Sequence, residues 1–395
     1  MFDFIKVEGF RSFRLVELEL SPLTVLIGPN GSGKSNFLDL LSLVAEAANG
    51  NLGNGIATRG GFDDIAFKGD PREIFLEFRF RPEGVFVEER APVTFKLMLR
   101  KVGTNPRVWF EQLSKGSDAY HPTPLFLMHR DKDGCMFRSI KTGMKEELGE
   151  EGKKALESES ELAIFQVKDQ DNYPTPHKLL RLLQEWVLYQ DIDVGPDAPI
   201  RQPTLLRTSF ALARSGANLA SVLHSFQQLR PATWREIEGL LETVYPDFHS
   251  ITFPGEGGDG KVVLRWWERP YEKQAGFSAN LLSDGTLKLL CLIAILKSPD
   301  PPPLICIDEP ELGLHPDWVK LVAEMMQSAA TRTQLVVATH SPQLIANLRP
   351  EEVIVAEKSN GETRLSSLSS VDLEKWLKEF SLADLWLAGH FGGRP

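Results

Sequence analysis

Apolar residues at the start of the chain follow a strand period. Phe4 to Val7 and Val16 to Leu20 partly alternate with polar positions, and Leu23 to Ile27 is a near-continuous apolar run that predicts a buried strand. A glycine-rich turn follows, and the period then changes to that of a helix from Lys34 to Ala48. Asn49 to Gly61 is rich in glycine and asparagine and reads as a loop. Ile74–Phe80, Val93–Leu99 and Val108–Leu113 are three more strands separated by turn residues, which predicts an antiparallel layer.

Residues 131–160 crowd charges of both signs, as in KEELGEEGKKALESES, and read as a solvated loop or exposed helix. Helical periods run over His177–Tyr189, Gly216–Leu229 and Thr233–Tyr245. Strands return at Ser250–Phe253 and Val262–Trp267, with PGEGGDG between them as a hairpin turn. A helix over Asp284–Lys297 ends at a PDPPP break. Beyond it, strand Leu304–Ile307, helix Asp317–Gln327, strand Gln334–Ala338, a helix starting near Pro342 and strand Val353–Val355 alternate before two short helices. Alternation of this kind predicts a parallel sheet covered by helices. The expected fold class is therefore α/β. A β-rich N-terminal lobe spans 1–130, a mainly helical insertion 131–247 and an α/β lobe 248–395, the first and third forming one core.

Of 395 residues, 42% are hydrophobic and 25% charged, enough to bury a sizeable core and unlike a disordered or fibrous chain. Lysine and arginine number 44 and aspartate and glutamate 54, a net charge of −10, which argues against coating nucleic acid by bulk charge. Cys135, Cys291 and Cys306 have no metal spacing, and so sparse a set fits a reducing compartment. The run Leu289–Leu296 is far short of the ~20 residues that cross a bilayer. No signal peptide is legible, so the expected location is cytoplasmic, with no membrane partner.

Gly28-Pro29-Asn30-Gly31-Ser32-Gly33-Lys34-Ser35 matches G-x-x-x-x-G-K-[ST] between a buried strand and a helix. Glycines let backbone N–H groups turn around a phosphate, and the helix N-terminus adds the positive end of its dipole. Lys34 is placed to reach the β- and γ-phosphates, and the Ser35 hydroxyl to ligate Mg²⁺. Leu304–Ile307 ends in Asp308 and Glu309. Asp308 suits Mg²⁺ held through water, while Glu309, pointing elsewhere, suits a general base. A second apolar strand ends at Thr339-His340-Ser341, which makes His340 a γ-phosphate contact and sensor. Ser283 is an N-cap type opening the helix from Asp284, beside Gly285; a serine at a helix N-terminus is also an anion site. Cys306 reads as core, and of Trp266 and Trp267 one is expected to face in and one out.

In this order these motifs resemble an ABC-type ATPase head. GFRSF, LTVLIGPNGSGKSNFLDLL, LLSDGTLKLL, IDEPELGLHP and VVATHSPQLI resemble the SMC, RecF and OLD branch, and the chain is similar to the stand-alone predicted ATPases of that branch. The resemblance is strong at both ends and weak over residues 110–245. It implies ATP and Mg²⁺ as ligands, with Asn30 to Asn36 around the nucleotide. It also implies an ATP-dependent homodimer in which Ser283, supported by Gly285 and Lys288, meets the partner's γ-phosphate. Asp284 and Thr286 depart from LSGGQ. TRGGFDDIAFKGD resembles the loop that supplies an arginine near the nucleotide, here Arg59. Gln166 and Gln170 are candidates for the glutamine loop, and Glu311 to His315 matches the D-loop. Arg201-Gln202-Pro203 resembles a segment of the narrower family with no chemistry attached. The implied role is a switch in DNA repair or phage defence, binding DNA weakly if at all, with an effector protein encoded nearby as a partner. The alternative is an ATP-gated scaffold with little turnover and no direct DNA binding that controls a protein effector, a toxin or nuclease. A transporter subunit is disfavoured by the long stretch between Lys34 and Ser283.

Overall fold

The computed structural model describes residues 1–68, 73–103, 105–117, 123–148, 156, 158–256, 260–271, 273, 276–368 and 380–390. Two sheets organise the molecule. The larger has eight antiparallel strands in the order β2-β1-β4-β5-β6-β7-β8-β9. These are β1 (Phe2–Phe10), β2 (Phe13–Glu19), β4 (Glu73–Phe80), β5 (Val93–Val102), β6 (Asn105–Lys115), β7 (Leu125–Asp131), β8 (Gly134–Arg138) and β9 (Lys145–Leu148). Alternation decides its faces: Ile74, Leu76, Phe78 and Phe80 of β4 and Val93, Phe95, Leu97 and Leu99 of β5 are buried, while the residues between them are not.

The second sheet has six strands in the order β10-β17-β18-β3-β19-β20. They are β3 (Leu23–Ile27), β10 (Val187–Tyr189), β17 (Leu304–Asp308), β18 (Gln334–Thr339), β19 (Val353–Ser359) and β20 (Glu362–Ser367). All pairings are parallel except β19 with β20. The sheet lies between two cores. Leu26, Leu304, Cys306, Val336 and Ala338 face the core shared with α1 (Lys34–Ala48) and the first sheet. Val25, Ile27, Ile305, Ile307, Leu335 and Val337 face the opposite core. Burial on both faces explains why these strands read as near-continuous apolar runs.

Three-stranded sheets complete the fold. One comprises β11 (Thr204–Leu205), β13 (Gly255–Glu256) and β14 (Lys261–Val262); the other comprises β12 (Phe248–Thr252), β15 (Arg265–Glu268) and β16 (Phe277–Ser278). Helices α2 (Leu52–Thr58), α3 (Phe62–Ile65), α4 (Ala163–Gln166) and α5 (Pro174–Gln184) belong to the first half. Helices α6 (Leu219–Leu229), α7 (Pro231–Val244), α8 (Asp284–Leu296), α9 (Pro316–Ala329) and α10 (Pro342–Ile345) belong to the second. Among the described residues, no helix is long and apolar enough to cross a membrane.

Four expectations need correction. The antiparallel sheet continues past residue 130 to Leu148, because β7 pairs with β8 and β8 with β9 where a solvated loop or helix was expected; residues 149–155 and 157 of that run lie outside the described residues. Tyr189 does not end a helix. The helix stops at Gln184, and Val187–Tyr189 joins the parallel sheet, so the segment 131–247 supplies a strand of the core. Asn49–Gly61 is not all loop: Leu52, Gly55 and Ile56 bury one face of α2, and packing overrides the unfavourable composition. Val262 and Trp267 lie in different small sheets, with residues 257–259 of the intervening turn outside the described set. Trp266 is buried, whereas Trp267 is partly exposed and donates from Nε1 to Thr252 Oγ1 at 2.8 Å. All three cysteines are free and buried.

Candidate functional site

Parallel register gathers the chemistry at one edge of the second sheet. Tyr189 pairs with Ile307, Asp308 with Ala338, and Thr339 with Ile27. Gln190, Asp308–Glu309, His340 and Gly28 therefore leave adjacent strands side by side. Crevices at the carboxyl ends of parallel strands are where ligands bind in such sheets.

The loop between β3 and α1 is built on glycine. Gly28 and Gly33 have φ of 148° and 103°, and a Cβ at Gly28 would lie 2.2 Å from Ala356 O. A Cβ at Gly33 would meet Thr363 Oγ1 at 2.4 Å. Gly33 caps α1 with no side-chain bond, and the first turn carries no acid, so the helix's leading N–H groups are not spent on a side chain. Lys34 is buried; its Nζ donates to Gly28 O at 2.7 Å and Pro29 O at 3.1 Å. Burial pushes its pKa below the usual lysine range, opposed by the nearby carboxylates of Glu309, Asp308 and Glu311. The loop is braced from the chain's other end: Thr363 Oγ1 donates to Ser32 O at 2.7 Å and meets Ser12 Oγ at 2.8 Å. Ser12 Oγ also accepts from Asn36 Nδ2 at 2.9 Å. Sequence reading missed both residues, because neither lies in the motif it supports.

On β17 the alternation that faces Leu304 and Cys306 toward α1 carries Asp308 to the same side. Its Oδ1 is buried with no hydrogen-bond partner. Burial raises its pKa, and Ser35 and Gln190 oppose this. A hydroxyl and a carboxylate with a free buried oxygen are hard donors suited to Mg²⁺, which needs few protein ligands when phosphate supplies others. Glu309 has φ 48°, uncommon for a residue with a side chain, and its N–H donates to Ala338 O at 2.8 Å. Its Oε1 lies 3.0 Å from His340 Nδ1. Glu311 accepts from Thr339 Oγ1 at 2.5 Å and from His340 N at 3.4 Å, leaving Oε2 buried without a partner. Burial raises its pKa as well.

Ser283 is exposed and caps α8, accepting from Thr286 N at 3.1 Å. Gly285 is glycine because the next loop approaches closely: a Cβ there would lie 2.7 Å from Gly313 O. Lys288, half-buried on α8, feels Asp191, Glu311 and Glu309 of its own chain, which oppose the lowering of its pKa by burial. Exposed Leu281 and Leu312 flank this surface.

Arg59 does not join the strand-end cluster. Its guanidinium is held by Asp39 at 2.7 Å and Glu46 at 2.7 Å, two carboxylates of α1. Gln166 closes α4 with its amide donating to Ser158 O at 2.8 Å, and Gln170 is exposed in a turn. Neither glutamine is at the strand ends. Gln190 is, and the signal that marks it is the short apolar run Val187-Leu188-Tyr189 just before it.

A phosphate-binding loop and an acidic strand end on the two strands that flank β18 of a parallel sheet define a P-loop nucleotide-binding head. Residues 1–175 match the family described as an AAA ATPase domain. Residues 237–346 match the family described as "AAA domain, putative AbiEii toxin, Type IV TA system". A crystal structure of an Smc head bound to the C-winged helix domain of ScpA is similar with a TM-score of 0.56 at 16% identity, covering 97% of this chain and 99% of that one. An Smc head domain with an extended coiled coil bound to the C-terminal domain of ScpA, derived from Pyrococcus furiosus, gives 0.55 at 15% identity, covering 95% and 98%. No curated protein matches the chain. The structural likeness shows the fold, that of an Smc head, and the two family matches cover the parts of the chain that carry the phosphate loop and the acidic strand end.

Proposed function

We propose that the chain binds ATP with Mg²⁺, hydrolyses it to ADP and phosphate, and closes face to face with a second copy around two nucleotides. What carries this reading is the convergence of Lys34, Asp308, Glu309 and His340 at adjacent strand ends beside the N-terminus of α1. Lys34 and the N–H groups from Asn30 to Asn36 bind the phosphates. Asp308 and Ser35 would hold Mg²⁺, which neutralises phosphate charge. Glu309 takes the proton of the attacking water, and His340 orients Glu309 and contacts the γ-phosphate. Ser283 and Gly285 face the partner's nucleotide, where exposed Leu281 and Leu312 would be covered. Gln190 takes the role first sought at Gln166 and Gln170. The ion pairs of Arg59 give it a bracing role on α1 in place of direct nucleotide contact.

The switch serves defence or repair in our reading, and the family description over residues 237–346, which names a putative toxin, supports defence. A specific observation favours a protein effector over DNA as its target. Basic side chains on the outer face of the antiparallel sheet are paired across strands, Lys96 with Glu77 at 3.3 Å and Arg100 with Glu73 at 3.4 Å. Contact with DNA is then weak and confined to the ATP-closed pair. The direct test is Glu309→Gln with labelled ATP: it should bind ATP, scarcely turn over and gain mass by light scattering. Absence of ATP binding by the parent chain would end the proposal.

A further inference from the structure

Arg201 is buried, far from solvent for an arginine, with its side chain only 4% exposed. Its Nε donates to Val194 O at 3.0 Å and Gly195 O at 2.9 Å. One terminal nitrogen donates to Ala279 O at 2.7 Å and Leu282 O at 2.9 Å, and the other to Asp284 Oδ1 at 2.6 Å. These acceptors belong to two segments that matter to the site. Residues 194–195 continue the chain just after Gln190, which faces Asp308. Residues 279–283 form the turn that ends in Ser283, and Asp284 opens α8. A rigid fork of donors can satisfy main-chain acceptors on both sides at once; removal would take a donor from four carbonyls, of which Gly195 O and Ala279 O keep the N–H groups of Ala198 and Leu282. Ala279 and Leu282 pack the turn against the core and Tyr245 Oη lies 2.6 Å from Thr286 Oγ1, while Ser283 itself bonds only within its own cap.

We infer that Arg201 is a positioning residue that locks the Ser283 turn to the chain leaving β10, so that a change at Gln190 is passed to Ser283. The inference rests on the nucleotide reading above and adds to it the route by which one subunit's bound nucleotide sets the surface offered to the partner. Lysine keeps the charge but, with a single ammonium, cannot bridge both segments.

Amide hydrogen exchange tests this, at protein concentrations where light scattering shows a monomer, with and without ATP–Mg²⁺. In the parent chain, nucleotide should slow exchange over residues 190–195 and 279–286 together. In Arg201→Lys the response at 190–195 should persist while that at 279–286 falls by about fivefold or more, the low end of ordinary site-to-site coupling. A full response at 279–286 in the variant overturns the inference, and so does a parent that binds but responds only at 190–195. Binding of a labelled ATP analogue is measured alongside; a parent that does not bind removes the nucleotide reading and this inference with it. Should Arg201→Lys fail to fold, Asp284→Asn keeps the four carbonyl bonds and weakens only the charged arm. Its response at 279–286 should fall about twofold, the scale of a half-exposed ion pair, and an unchanged response overturns the inference.

Discussion

In the antiparallel sheet, Glu111 on β6 is fully buried, and both of its oxygens are used. Oε2 accepts from Ala163 N at 2.6 Å, Oε1 from Ile164 N at 3.1 Å, and Arg130 stands 4.0 Å away. At the end of β17 in the parallel sheet, Asp308, and in the turn after it Glu311, are only half-buried, yet each keeps one buried oxygen without a partner. The first carboxylate pins the start of α4 to a strand. The other two hold acceptor capacity in reserve beside a buried lysine. A buried polar atom without a partner costs about 1–3 kcal/mol, so its persistence at a strand end points to a ligand, whereas a satisfied one points to architecture.

This contrast can be broken by mutation. The largest effect is expected at Glu309→Gln, with turnover down about 10²- to 10⁴-fold, the range for losing a general base, and ATP affinity retained. Wild-type turnover there would strip Glu309 of its role. Lys34→Ala should weaken binding of a labelled ATP analogue by roughly 10- to 100-fold, since a charged hydrogen bond is worth about 1.5–3 kcal/mol. Affinity equal to the parent's would contradict the loop assignment.

Glu111→Ala should do the reverse. It leaves two amides unpaired and should lower unfolding stability by about 1–3 kcal/mol, with nucleotide affinity unchanged; a matching loss of affinity would erase the distinction between the sheets. Glu111 also makes a pH prediction. Burial pushes its carboxyl up to about 7 from 4.5. The folded state then favours the neutral form, so its contribution is complete below about pH 4.5 and is lost as pH rises through about 7. The thermal midpoint of Glu111→Gln should fall less across that window than the parent's, and identical slopes would refute the assignment.

The smallest effect concerns the paired outer face of the antiparallel sheet. Duplex DNA should bind weakly to Glu309→Gln with ATP, each phosphate contact adding about 0.9 to the log–log salt slope. Strong binding without ATP would show that the ion pairs there do not mask the basic side chains.

The phosphate loop and acidic strand end were legible because local sequence makes them: a turn that needs glycine and runs buried on both faces. Their juxtaposition followed from strand alternation. What was hidden depended on distance. Thr363 braces Ser32 from the far end of the chain, and β10 is three residues long and continuous in pattern with the helix before it. Arg59 was placed by resemblance to a loop, yet its partners Asp39 and Glu46 lie on the helix it packs against, a relation no short motif encodes. Charges at 131–148 suggested a solvated segment because a sheet edge with one wet face can carry both signs.

β3 sits in the middle of its sheet, yet its neighbours arrive late: Val25 pairs with Val337 on one side and Val353 on the other. A ribosome adding ~5–20 residues per second needs roughly 15–60 s between β3 and those partners. Through that interval the emerging chain can pair β1 with β2 and β4, but β3 remains a bare apolar ribbon with both edges open. Nascent chains should therefore depend on chaperones in this window. A product stalled before β20 would display the glycine loop without the bond from Thr363 Oγ1 to Ser32 O, its backbone free to turn until that distant strand arrives.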